Sequence, residues 1–122
     1  MRYRVMNFTR NTLLGTDVRV ANTFGTRFKG LIGVTSLPMG QGLHLVPCTS
    51  VHTFFMRVAI DVLFLDADLQ VIDISHDLQP WGMSRIYFSA RSALELPSGV
   101  AGASQTSPGD RLELTEVAGS KK

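Results

Sequence analysis

Most hydrophobic and polar positions in this chain alternate with the period of two that a half-buried strand requires. Val18 and Val20 share one side of Asp17–Ala21, and Val5–Phe8 upstream has the length of one strand. Leu13 to Asp17 joins them with a turn signal at Gly15, so the N-terminal segment predicts a hairpin. Leu43–Val46 reads as a short strand ended by Pro47. Val51–Met56 and Ile60–Leu65 are the most apolar stretches of the two halves. Drawn as a strand, Val51–Met56 is apolar on both faces, which predicts a central position in a sheet. Asp66-Ala67-Asp68 turns the chain into the alternating Gln70–Ser75. Ser92–Leu96 and Arg111–Val117 add two more strand patterns, the last entered through Pro108-Gly109-Asp110. One segment breaks the rule. Phe24, Phe28, Leu31 and Ile32 fall on one helical face, with Asn22 or Thr23 as cap and Gly33 as the stop, although Gly25 and Gly30 interrupt the run. Gly99–Gln105 fits a helical turn or two. Many short strands with one or two short helices predict a mainly β fold, a compact antiparallel sandwich or partly open barrel. A single domain over residues 1–118 with a frayed tail at 119–122 is expected.

Composition narrows the class. At 122 residues with 44% hydrophobic and 18% charged side chains, the chain can bury a core, and bulk disorder is excluded. The one cysteine, Cys48, excludes an internal disulfide framework and a metal site built from paired cysteines. No apolar run approaches the ~20 residues of a membrane span. Arg4, Asn7, Thr9, Arg10 and Asn11 interrupt every secretory-type stretch near the start, so a cytoplasmic location is expected. No glycine pattern cradles a phosphate, and no cofactor is called for. The net charge of +2 hides a split between a basic segment over residues 1–30 and an acidic one over residues 58–120. Pairing within the molecule is expected to account for it. Only Arg2, Tyr3, Arg4 and Phe8 interleave bases with aromatics, so nucleic acid is not an expected partner.

Chemically capable residues concentrate between positions 44 and 66. His44, Cys48, His52 and Met56 follow one another at intervals of four. Three readings of them compete. Cys48, His52 and Met56 resemble the order of ligands in a blue-copper loop, but no distant upstream histidine completes the set. Cys48 as nucleophile with His52 as base would make a thiol-dependent hydrolase or acyl-transfer enzyme, given a turn at Pro47 and Thr49-Ser50. The third reading is structural: Cys48 is a buried small hydrophobe and His52 a strand residue needing a partner such as Asp61, Thr53 or Glu95.

The blocks Arg27-Phe-Lys-Gly30-Leu31-Ile32, Gly42-Leu43-His-Leu45, Val51-His52-Thr53-Phe54-Phe55-Met56-Arg57 and Ile60-Asp61-Val-Leu-Phe64-Leu65-Asp66 recur in a known order. Val71, Pro80-Trp81, Leu94-Glu95-Leu96-Pro97-Ser-Gly99 and Gly109-Asp110 complete it. In this order the chain resembles the bacterial and archaeal "domain of unknown function 192" family, from about Val18 to Leu114. The resemblance implies a compact, jelly-roll-like β fold with a short helix near Gly30-Leu31, and no established activity. Many members carry Trp-Met-Lys-Asn-Thr where this chain has the His52 to Arg57 block, and Gly-Leu-Met where it has Gly30-Leu31-Ile32.

Three further expectations concern single residues. Asp61 and Asp66 fall on opposite strand faces, and Asp66 with Asp68 shapes a turn. Glu95, opposite Leu94 and Leu96 on its strand, pairs with an N-terminal arginine or meets a ligand. Trp81 is a lid over the core or a ligand platform. The leading expectation is a β domain that binds a small molecule or protein segment. Its pocket would be lined by His52, Thr53, Met56, Arg57, Trp81 and Glu95.

Overall fold

A computed structural model describes residues 1–117; the expected tail at 119–122 lies outside the described residues. Seven strands form one sheet: β1 (Arg2–Asn7), β2 (Thr12–Ala21), β3 (Gln41–Leu45), β4 (Ile60–Leu65), β5 (Val71–Leu78), β6 (Ser92–Pro97) and β7 (Leu112–Glu116). Their order across the sheet is β5-β4-β6-β3-β2-β1-β7. The expected hairpin is the β1–β2 pair, but its turn falls at residues 8–11 and Gly15 lies within β2; all neighbours run antiparallel except β2 and β3. The sheet curls until its two edges meet. Gln70 and Arg111 form an isolated bridge, and beside it the Leu112 N–H donates to the Leu69 carbonyl at 2.9 Å. The contact is confined to the starts of β5 and β7, so the sheet is a half-barrel. Of the two forms expected, the partly open barrel is the one adopted.

The curl separates two cores. Val5, Leu14, Val18, Leu63, Leu94 and Leu96 pack inside it. The short helix α2 (Val100–Ala103) closes this core with Val100 and Ala101. Asp61, fully buried on β4, holds α2 in place by accepting the Gly99 and Ala101 N–H groups at 3.0 and 2.9 Å. On the outer face, Ile60, Val62, Phe64 and Ala93 pack against Val51, Met56 and Ala90 from the loops that cover the sheet. This explains why β4, apolar except for Asp61, is buried along its whole length on both sides.

Two predicted elements differ. Val51–Met56 is a covering loop, not a central strand. It takes no place in the strand order, in which β4 lies between β5 and β6. The loop is built on Thr53, whose hydroxyl donates to the Gln79 carbonyl and accepts the Gly82 N–H at 2.7 Å. Only the His52–Met83 bridge is strand-like, and Phe55 turns the chain with a φ of 65°. The predicted helix over 23–32 is shorter, α1 (Phe24–Lys29). Thr23 and Thr26 form a capping box at its start, and Gly30, at φ 46°, ends it three residues before Gly33. Its apolar face is not core: Phe24 and Phe28 are 78% and 68% exposed. The expected charge pairing is also sparse. Among the described residues Arg10–Asp110, at 3.0 Å, joins the basic and acidic segments, whereas Arg2 meets Asp17 within the basic one.

Candidate functional site

Glu95 lies on β6, between β3 and β4, opposite Leu43 on one side and Val62 on the other. Val62 belongs to the outer core, so the Glu95 carboxyl is on the outer face. Past Leu45 the chain leaves the sheet through a cis Val46–Pro47 bond, and the Cys48 N–H is anchored on the Arg91 carbonyl at 3.2 Å. Helix α1 approaches from the other side. Arg27 ties it to the end of β3 by donating from Nη1 to the Val46 carbonyl at 3.3 Å. The Gly33 N–H donates to the Phe55 carbonyl at 3.1 Å, closing the gap between helix and loop. These pieces enclose a cavity of about 290 Å³, with Glu95, Leu45, Cys48 and Met56 among its walls and Phe28 and Leu31 across from them.

The chemistry of this cavity is uneven. Glu95 is 3% exposed, and its Oε1 has no hydrogen-bond partner. Burial pushes its carboxyl up to about 8, so it is mostly protonated at neutral pH. The Cys48 thiol donates to the Ser50 carbonyl at 3.0 Å. Burial raises its pKa above the ordinary value; the Ser50 bond and Arg27 oppose that rise and Glu95 adds to it. Half-buried Arg27 and the exposed Lys29 and His52 also line the cavity, and among the described residues Glu95 is its one acidic side chain. No three His, Cys, Asp or Glu side chains gather to hold a metal ion among the described residues.

Of the six residues expected to line a pocket, the structure brings His52, Met56 and Glu95 to this cavity and leaves Thr53, Arg57 and Trp81 out of its lining. Thr53 is a fully buried loop anchor. Arg57 is exposed. Trp81 is 61% exposed and rests on Phe55, at 4.7 Å between ring centroids, so it is neither a lid over the core nor part of the cavity. His52 is exposed, and its Nδ1 accepts the Phe54 N–H at 3.2 Å; Asp61, Thr53 and Glu95 are not its partners. The expected arginine partner of Glu95 is absent, because no arginine reaches its Oε1. The wall from α1 went unseen in the sequence, where Phe24 and Phe28 look like core. Two glycines inside a predicted core helix were the available sign that it was not one.

The family model of the uncharacterised domain of unknown function 192 matches residues 5–114, most of the chain. The chain belongs to this family. A UPF0127 protein of Pyrococcus furiosus is 35% identical across 93% of this chain and 99% of its own length. One from Pyrococcus horikoshii is 32% identical across 89% of this chain and 96% of its own. These relatives are archaeal and themselves uncharacterised. Two bacterial crystal structures share the fold. A protein of unknown function from Novosphingobium aromaticivorans superposes with a TM-score of 0.79 at 20% identity, covering 93% of this chain and 84% of that one. A putative transcription regulator from Sinorhizobium meliloti gives 0.78 at 23%, covering 93% of this chain and 92% of that one. At such identity the likeness speaks for the fold alone. The curled β sheet is thus shared with these two structures, and the common name of the sequence relatives carries no activity.

Proposed function

We propose that this domain binds a small molecule in the cavity between α1 and the 46–56 loop. One observation carries the reading. A buried carboxyl that lacks a partner is costly, and natural proteins keep few such groups. Here that group borders a cavity of about 290 Å³ with otherwise mainly apolar walls, close to the lower bound of ~300 Å³ for ligand pockets. Apolar walls with a few placed polar groups are the usual composition of a ligand site.

The thiol-enzyme reading has less support. A nucleophilic cysteine needs a lowered pKa or an adjacent base, whereas Cys48 is shifted the other way and spends its proton on the Ser50 carbonyl. The Nδ1 of His52, a ligand in the copper reading, already accepts the Phe54 N–H. The test is a fragment screen against methyl-labelled protein by NMR. Fragments that bind should move the Met56, Leu45 and Leu31 methyl signals together. A screen in which no fragment moves these signals ahead of surface methyls overturns the reading.

A further inference from the structure

We infer, resting on that reading, that the ligand is a small aliphatic zwitterion, with its ammonium group on Glu95 and its anionic group toward Arg27 and Lys29. The charges around the cavity are ordered. Its one acidic side chain is a buried glutamate whose Oε1 accepts nothing. Its basic side chains, Arg27, Lys29 and His52, come from α1 and the covering loop. Arg27 is held there by its bond to the Val46 carbonyl. The Cys48 S–H, one polar hydrogen of the lining, is already donated to the Ser50 carbonyl. A ligand that brings its own donors to the Glu95 carboxyl would give it the partner it lacks. An ammonium group brings three and a charge that favours the ionised carboxylate. Leu45, Met56 and Leu31 also line the cavity and offer apolar contact, which suits a methylene chain. A ligand carboxylate placed on Glu95 would instead set two acids against each other in a dry site.

Binding then moves a proton. The carboxyl, protonated while the cavity is empty, gives its proton to solvent as the ammonium arrives, and no other bond changes. Four probes of similar length separate the possibilities: 5-aminovalerate, pentylamine, valerate and pentan-1-ol. Each is titrated at pH 7 into the full chain while the Met56 and Leu45 methyls are observed. The zwitterion should bind best, pentylamine next and valerate least. Glu95→Gln should weaken both amines about tenfold or more and leave pentan-1-ol unchanged. The double variant R27Q/K29Q should erase the advantage of 5-aminovalerate over pentylamine. Calorimetry of 5-aminovalerate in two buffers of different ionisation heat should show proton release for wild type and none for E95Q. Valerate or pentan-1-ol binding as well as the amines, or a ranking that E95Q leaves intact, overturns the inference while the cavity reading stands. Failure of all four probes also overturns it, and the cavity reading is then judged on its own fragment screen.

Discussion

Replacing Glu95 by glutamine should stabilise the protein in alkaline solution and leave it nearly unchanged in acid. The sign follows from linkage. Burial raises the folded-state pKa from 4.5 to about 8. Between those values the folded protein holds a proton that the unfolded chain has lost, so stability falls as pH rises through the window. From pH 5 to pH 8 the loss is on the order of 3 kcal/mol, at 1.36 kcal/mol per pH unit. For a domain of this size, that corresponds to a fall in Tm of roughly 10 °C. His44 slopes the other way below its ordinary value, so the absolute curve of wild type mixes two effects. The difference between E95Q and wild type isolates Glu95. Thermal unfolding followed by circular dichroism from pH 5 to pH 9 should show E95Q gaining on wild type up to about pH 8, then a plateau. A flat difference curve would show that the carboxylate is already ionised and solvated in the fold. That result would remove both the physical oddity and the functional reading built on it.

Other perturbations test the scaffold. His44 is buried, its Nε2 has no partner, and burial lowers its pKa to about 4. The unfolded chain therefore takes up a proton first, and stability present above pH 6.5 is lost as pH falls towards 4; His44→Leu should flatten that acid limb in urea titrations. Asp61→Ala removes the acceptor of three backbone N–H groups, on Gly99, Ala101 and Asp77. It should cost roughly 2–4 kcal/mol and open α2 to hydrogen exchange before the sheet; protection at Ala101 equal to wild type would refute this. Gly42→Ala would place a Cβ 2.8 Å from the Glu95 carbonyl oxygen, a backbone atom that cannot step aside, and should lower Tm by several degrees. An unchanged Tm would mean that β3 and β6 approach less closely than described.

How much was legible in the sequence depended on whether the cause was local. The strands Asp17–Ala21 and Val71–Ser75 show their period of two because alternation is a property of the strand itself. Asp66 is legible for the same reason, since its carboxylate accepts the Asp68 and Gln70 N–H groups at 2.8 and 2.9 Å within its own turn. Val51–Met56 was not. Its two-sided apolar pattern fits a central strand and a covering loop equally well. What decides between them is Thr53 bonding to Gln79 and Gly82, far along the chain. Helix α1 misleads in a related way: periodicity shows that Phe24 and Phe28 share a side, and their rings do stack at 6.4 Å, but it does not say that a core lies beneath them. Three of the six candidate site residues reached the cavity because the covering loop and β6 happen to meet there. The other half of the site comes from α1, whose position depends on the parallel β2–β3 crossover that no short-range pattern announces.

His44 and Glu95 make an instructive contrast. They occupy adjacent strands, both are buried, and each has a polar atom without a partner. His44 stands opposite Leu94 on the inner face, where the core is closed around it. A neutral imidazole there is a modest burden, because it can keep its charge off at physiological pH. Glu95 stands on the outer face, against an open cavity with bases in its lining. A glutamine or leucine at that position would fit the same strand and would not lose stability as pH rises. Stability alone therefore does not account for an acid in this place, and proteins retain destabilising groups chiefly where function needs them. The two residues share the same anomaly, and only one of them faces space that a second molecule can fill. On the proposed reading, Glu95 is the residue to test first in this protein, ahead of the cysteine and histidine that dominate the sequence.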